Sequence, residues 1–182
     1  IRRSPAELVL IRCLPKRPRE ARSAGERVGA DRPRLARLHH PKLLTAALGD
    51  PQRSFQSILI AGTNGKGSVT AMVDLALRAA GRRVGRYTSP HLIALEERFT
   101  INGAPVARSV LAGVIEEMRG LINGLLAEGA LDAPPTFFEV TTAIAFELFR
   151  RADVTLAVLE VGLGGRLDST NIVEPVAVAI TS

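Results

Sequence analysis

Two periodicities alternate along the chain from residue 41 onward. Ser57-Ile58-Leu59-Ile60-Ala61 is a short continuous apolar run, the pattern of a strand covered on both faces. Val154 to Leu159 and Val176 to Ile180 repeat that character. Between these runs, apolar positions recur at helical spacing. Val69, Met72, Val73, Ala76 and Ala80 form a stripe that packs on a sheet until Gly81 ends the helix. Residues 107–128 read as a further helix, and Phe137 to Arg151 as another, opened by Thr136 and Glu139 at the spacing of a capping box. Pro41 to Leu48 predicts a short helix stopped by Gly49, with Asp50-Pro51 as the turn beyond it. Arg83 to Thr88 predicts a strand that leads into Ser89-Pro90-His91, and Asn102-Gly103 marks a hairpin turn. Strands alternating with helices imply an α/β fold, a mostly parallel sheet flanked by helices. Ligands of such a sheet collect at the carboxyl ends of its strands.

Composition supports one ordinary domain: 182 residues, 46% hydrophobic, give a sizeable core. The basic balance needs a closer look, because a net charge of +6 would ordinarily raise nucleic-acid binding. Residues 1–40 carry eleven Arg/Lys against four Asp/Glu, a net of +7, whereas residues 41–182 carry thirteen against fourteen, a net of −1. The charge therefore sits in a Pro- and Arg-rich arm, expected to be poorly ordered, and residues 41–182 form the domain. Without interleaved aromatics the arm is a weak candidate for base stacking, and its acids and prolines suit a transit peptide poorly. We expect no nucleic-acid partner. No apolar run is long enough to cross a bilayer and no leader pattern opens the chain, so the expectation is a cytoplasmic enzyme with no membrane partner, acting as a monomer. Cys13 is the one cysteine, which excludes an internal disulfide. The chain begins with Ile1 rather than Met, so its start is not taken as a natural one.

Candidate chemistry centres on Gly62-Thr63-Asn64-Gly65-Lys66-Gly67-Ser68, between the first strand and the helix that follows. Closely spaced glycines let backbone N–H groups turn toward a polyphosphate, Lys66 supplies a point charge, and the helix adds its positive end. The pattern is a P-loop-type ATP cradle with a departure, since two residues separate Gly62 from Gly65 and Gly67 stands between Lys66 and the hydroxyl of Ser68. A ligand-free strand-to-helix turn is the plainer alternative, but it leaves the lysine without a purpose. Ser89 and Glu160 also fall at predicted strand ends, and a hydroxyl with one carboxylate suits Mg²⁺, which takes few protein oxygens beside a nucleotide's phosphates. Read alone, Glu160 is equally a strand-end acid facing solvent or paired with Arg166, and Ser89 simply starts a Ser-Pro turn. Glu139 is first of all a helix cap. The Gly162-Leu163-Gly164-Gly165-Arg166-Leu167-Asp168 loop is either a ligand loop or a flexible connector, and an Arg166–Asp168 pair would be local. His39, His40 and His91 have no metal-ligand spacing and read as surface or turn residues.

Taken together, Ala61 to Ser68, Thr88-Ser89-Pro90-His91-Leu92, Phe138-Glu139 and the stretch Leu159 to Asn171 resemble folylpolyglutamate synthase, whose bacterial members often double as dihydrofolate synthase. The resemblance covers about Leu43 to Ser182. It implies an incomplete Mur-ligase-like central domain and an ATP-dependent ligase that joins the amino group of L-glutamate to a carboxylate of dihydropteroate or a reduced folate through an acyl phosphate. It implies ATP and Mg²⁺ as cofactors, with Thr63 to Lys66 resembling the ATP loop, Lys66 the catalytic lysine, and Ser89 and Glu160 the Mg²⁺ ligands. It likens Thr136, Phe137, Phe138 and Glu139, and Leu167, Asp168 and Ser169, to pterin-contacting segments. The departures matter as well. The Asp-His segment, modified lysine and C-terminal glutamate-binding domain of the family do not follow Ser182, and Leu35 to Leu48 lacks the usual helix of the pterin pocket. These departures predict a chain with no ligase turnover by itself. A cell-wall precursor ligase would place Thr or Ser directly after the lysine, where Gly67 stands. A P-loop kinase or GTPase would need an acceptor- or base-reading motif further on.

Overall fold

A computed structural model describes residues 38–182; the basic arm expected at residues 1–40 lies almost wholly outside them. The described chain runs α1 (His39–Ala47), β1 (Gln56–Gly62), α2 (Lys66–Ala79), β2 (Val84–Tyr87), β3 (Phe99–Ile101), β4 (Ala104–Pro105), α3 (Arg108–Ala127), α4 (Phe137–Arg151), β5 (Leu156–Glu160) and β6 (Ala177–Thr181). Short 3₁₀ turns lie at Pro51–Arg53, Leu95–Arg98 and Ser169–Ile172.

The strands form one sheet in the order β4-β3-β2-β5-β1-β6, parallel across β2, β5, β1 and β6 and antiparallel at the β3–β4 hairpin. Alternation along the strands sends side chains to two cores. Ile60, Val84, Leu156 and Val158 meet Val69, Val73 and Leu77 of α2 on one face. Leu59, Tyr87, Ala157 and Leu159 meet α4 on the other, where α1 and α3 pack in turn on α4. The expected hairpin, the capping box of α4 and every expected helix are present.

Three expectations are corrected. Helix α2 keeps Val69 and Val73 on the sheet as expected, but the rest of its inward stripe differs: Met72 is 68% exposed and Ala76 and Ala80 are exposed, while Thr70, Asp74 and Leu77 face inward. Two of those inward residues are polar and satisfied locally, Thr70 Oγ1 donating to the Lys66 carbonyl at 2.7 Å and Asp74 pairing with Arg78 at 3.3 Å, so counting apolar positions alone rotates the helix. Among the described residues, strand β6 pairs with β1 alone and leaves Val178 and Ile180 exposed, unlike the covered strand expected there. His40, expected at the surface or in a turn, sits instead inside the fold on the expected helix α1. Its Nε2 is hydrogen-bonded to Asp132 at 2.6 Å and its ring is 3.7 Å from Glu139, and the Asp132 contact spans 92 residues of sequence that no local spacing encodes.

Candidate functional site

Strand register assembles the site. Ile60 of β1 is level with Glu160 of β5, and Tyr87 of β2 is level with Leu159, so the chain leaving β1 into the glycine loop and the chain leaving β2 into Ser89 emerge on either side of Glu160. From β1 the connection through α2 crosses to β2, whereas β5 returns to β6 on the far side of β1, so this is the point where successive connections diverge and a crevice opens.

The loop's backbone depends on glycine at two positions. Gly62 has φ +130° and a side chain there would collide with Thr181 on β6; Gly65, at φ +74°, turns the chain into α2. The Lys66 ammonium lies over this bend, donating to the carbonyls of Gly62 at 3.1 Å and Thr63 at 3.5 Å. The Asn64 N–H donates to the Ser182 carbonyl at 2.7 Å, tying the loop to the end of β6. A Cβ on Gly67 would lie 3.9 Å from Glu160 Oε2, so the start of α2 and the carboxylate share one space.

Glu160 is 5% exposed, and its Oε2 accepts the Ser89 N–H at 3.2 Å. Its partner is therefore the Ser89 amide rather than Arg166, and Ser89 and Glu160 meet as the sequence pairing requires. Burial pushes the Glu160 carboxyl above its ordinary value of 4.5, against the opposing pull of the Ser89 amide and the charges of Lys66 and Arg98. With the folded value raised, this group contributes most to folding below pH 4.5, and that contribution fades as pH rises through its folded value. Glu160→Gln is accordingly expected to flatten the fall in stability between pH 4.5 and neutrality, read as urea midpoints at several pH values; an unchanged pH profile would mean the buried carboxyl carries no penalty.

The donor set fits magnesium held together with a nucleotide. One buried carboxylate and a serine are hard oxygen donors, and among the described residues no cluster of three His, Cys, Asp or Glu offers an all-protein cage.

The remaining sequence-predicted residues lie at the same carboxyl end. Thr136 caps α4, its Oγ1 accepting the Glu139 N–H at 3.3 Å while Glu139 Oε2 accepts the Thr136 N–H at 2.5 Å. Glu139 is thus occupied as a cap and as a neighbour of His40. Phe138 presses on Gly162, where a Cβ would come within 2.6 Å of the ring, and so joins the start of α4 to the loop after β5. Asp168 caps the Ser169–Ile172 turn by accepting the Thr170 N–H and hydroxyl at 3.0 and 2.6 Å, and reaches back to accept the Leu163 N–H at 2.9 Å. Its carboxylate therefore holds the glycine loop closed; Leu167 is half-buried and Ser169 buried beside it.

Two further residues at the site carry no signal in the sequence. Arg98 is 7% exposed, donates from Nε to His91 Nδ1 at 2.8 Å, and lies 5.3 Å over the Phe137 ring. Tyr87 is fully buried beneath it, sharing its hydroxyl with Thr141 at 2.9 Å. An arginine in an Arg-rich chain has nothing to distinguish it, and Tyr87 reads as one more strand residue.

No protein-family model matches the chain. In sequence it is 40% identical over 152 residues to the dihydrofolate synthase/folylpolyglutamate synthase of Bacillus subtilis, covering 83% of this chain and 34% of that protein. In structure it resembles Mycobacterium tuberculosis folylpolyglutamate synthase complexed with ADP and AMPPCP, with a TM-score of 0.75 and 43% identity over 79% of this chain and 32% of that one. It also resembles the folylpolyglutamate synthase of an AMPPCP–folate complex, with a TM-score of 0.79 and 32% identity over 97% of this chain and 40% of that one. Across curated relatives of this kind, the chain spans between 16% and 35% of their length. No helix among the described residues is long and apolar enough to cross a membrane.

Proposed function

We propose that this chain, which belongs to the folylpolyglutamate/dihydrofolate synthase family, is nucleotide-binding machinery of such a synthase. The whole enzyme would join L-glutamate to the carboxylate of dihydropteroate or a reduced folate, driven by ATP. One observation carries the reading: the sheet register brings the glycine loop with Lys66, the Ser89 amide and the buried Glu160 to a single crevice.

Each group has a task in forming an acyl phosphate. The amides of Gly65 to Gly67, at the start of α2, would face the phosphates, while the Asn64 N–H is taken by the Ser182 carbonyl. Lys66 exchanges two neutral carbonyl acceptors for phosphate oxygens, which bind an ammonium more strongly, and its charge then opposes the negative charge that builds up when a carboxylate attacks the γ-phosphorus. Glu160 and Ser89 would hold Mg²⁺, which when bound screens the phosphate charges and orients them for in-line attack. The half-buried Phe137, Phe138 and Leu167 border the same end of the sheet and offer apolar surface to a flat pterin ring. Once the acyl phosphate has formed, the glutamate amine displaces phosphate and forms the amide.

Calorimetric titration of the 182-residue chain with ATP tests the reading. Binding is expected, and it should tighten when Mg²⁺ is added. Heat indistinguishable from dilution at millimolar ATP, with and without Mg²⁺, would sink it.

A further inference from the structure

Arg98 is a buried cation at the edge of the crevice, and its contacts converge on one loop. Its backbone carbonyl accepts the Thr88 N–H at 3.1 Å, and its Nε–H donates to His91 Nδ1 at 2.8 Å. Its main chain thus holds the loop before Ser89, and its guanidinium holds it after Ser89, at His91. The rest of the guanidinium lies over the face of Phe137, the first residue of α4, at 5.3 Å, with the buried Tyr87 of β2 near enough to feel its charge. Among the described residues it makes no ion pair, and Glu160, whose carboxyl feels its charge, stands beyond salt-bridge contact. A buried guanidinium with neutral partners is costly to keep unless its planar fork does something a hydrophobic side chain would not.

We infer that Arg98 is a positioning residue: by holding His91 against Phe137 at the start of α4, its guanidinium fixes the Thr88–Arg98 loop so that Ser89 faces Glu160. The inference rests on the reading of Ser89 and Glu160 as the magnesium pair. The geometry gives the fork a stated job. Accepting at Nδ1 requires the neutral His91 ring to carry its proton on Nε2, so the Arg98 Nε–H sets both the tautomer and the ring's orientation. A lysine in its place would keep the charge but not the directions in which Nε and the terminal nitrogens point.

The test compares the 182-residue chain with Arg98→Gln, Arg98→Lys and His91→Ala. ATP affinity is measured with EDTA and with excess Mg²⁺, and amide hydrogen exchange is followed at Ser89. Arg98→Gln should leave the EDTA affinity within about twofold of wild type, because the phosphate loop is untouched, and should remove about tenfold of the Mg²⁺-dependent gain, the usual size of an outer-sphere defect. Ser89 exchange should accelerate in parallel. Arg98→Lys should not rescue either readout. His91→Ala removes a half-buried ring outside the core, so it should fold even if Arg98→Gln does not, and should show the same losses in smaller measure. Rescue by lysine, equal losses with and without Mg²⁺, or unchanged Ser89 exchange in both Arg98→Gln and His91→Ala would each overturn the inference. A wild-type chain that binds ATP without any gain from Mg²⁺ would instead remove the magnesium pair, and the inference with it, whereas a chain that binds no ATP would remove the functional reading as a whole.

Discussion

Lys66→Ala is expected to weaken ATP binding by about 10- to 100-fold, the range set by losing one charge-assisted hydrogen bond to phosphate of about 1.5–3 kcal/mol. The ammonium already lies over the bend, bonded to the carbonyls of Gly62 and Thr63, so it needs only a small movement to reach a phosphate and little of the interaction is spent on ordering the side chain. The same geometry predicts that folding is nearly indifferent to the change. Those two carbonyls are partly exposed and water replaces the ammonium, leaving a stability change below about 1 kcal/mol. Calorimetry with ATP beside urea denaturation separates the two effects. An unchanged dissociation constant would show that the lysine does not meet the nucleotide, and a large loss of stability would show that its role is to brace the loop.

The largest effect on stability is expected at Phe149. Its ring is fully buried between α4 and the sheet, edge-on to Phe55 at 5.9 Å, and it presses against Gly85 of β2. Phe149→Ala should cost about 3–5 kcal/mol, the transfer of a phenyl ring plus the cavity it leaves. A Cβ at Gly85 would stand 2.7 to 2.9 Å from three atoms of that ring, so Gly85→Ala alone should overpack the site and cost about 1–3 kcal/mol. The double variant is the informative one. The methyl group that Gly85→Ala adds would enter space vacated by the ring, so the two costs should fall short of their sum by about 1 kcal/mol or more, measured by urea midpoints and slopes at 25 °C. Strict additivity would mean the glycine is not there to admit the phenyl ring.

Much of the site can be read locally because its parts are short and chemically marked. The glycine loop announces itself through residues that other roles would not choose, and Thr136 with Glu139 declares a helix start through spacing alone. Glu160 is visible as an acid at the end of an apolar run, but its partner is not. Arg166, six residues away, looks the natural choice, and the structure supplies the Ser89 amide from 71 residues upstream. Arg98 and His40 illustrate the opposite limit. Each is a charged or titratable residue in a sequence rich in them, and each is buried by contacts with α4 that only the packing of distant segments creates. The Met72 stripe fails for a related reason: polar residues that satisfy themselves within a helix face inward at little cost, so hydrophobicity alone misplaces the buried face.

What the linear order of residues determined by itself was the succession of strands and helices and the backbone freedom of the glycine loop, because these depend on neighbours within a few positions. Strand order and the meeting of Lys66, Ser89 and Glu160 were decided by tertiary structure. Inserting β5 between β1 and β2 is a choice among pairings of similar local character, settled by which arrangement covers both faces of the sheet with α2 and α4. That insertion puts a single carboxylate between two loops that the chain itself keeps 26 residues apart, from Thr63 to Ser89, and so makes one crevice of them.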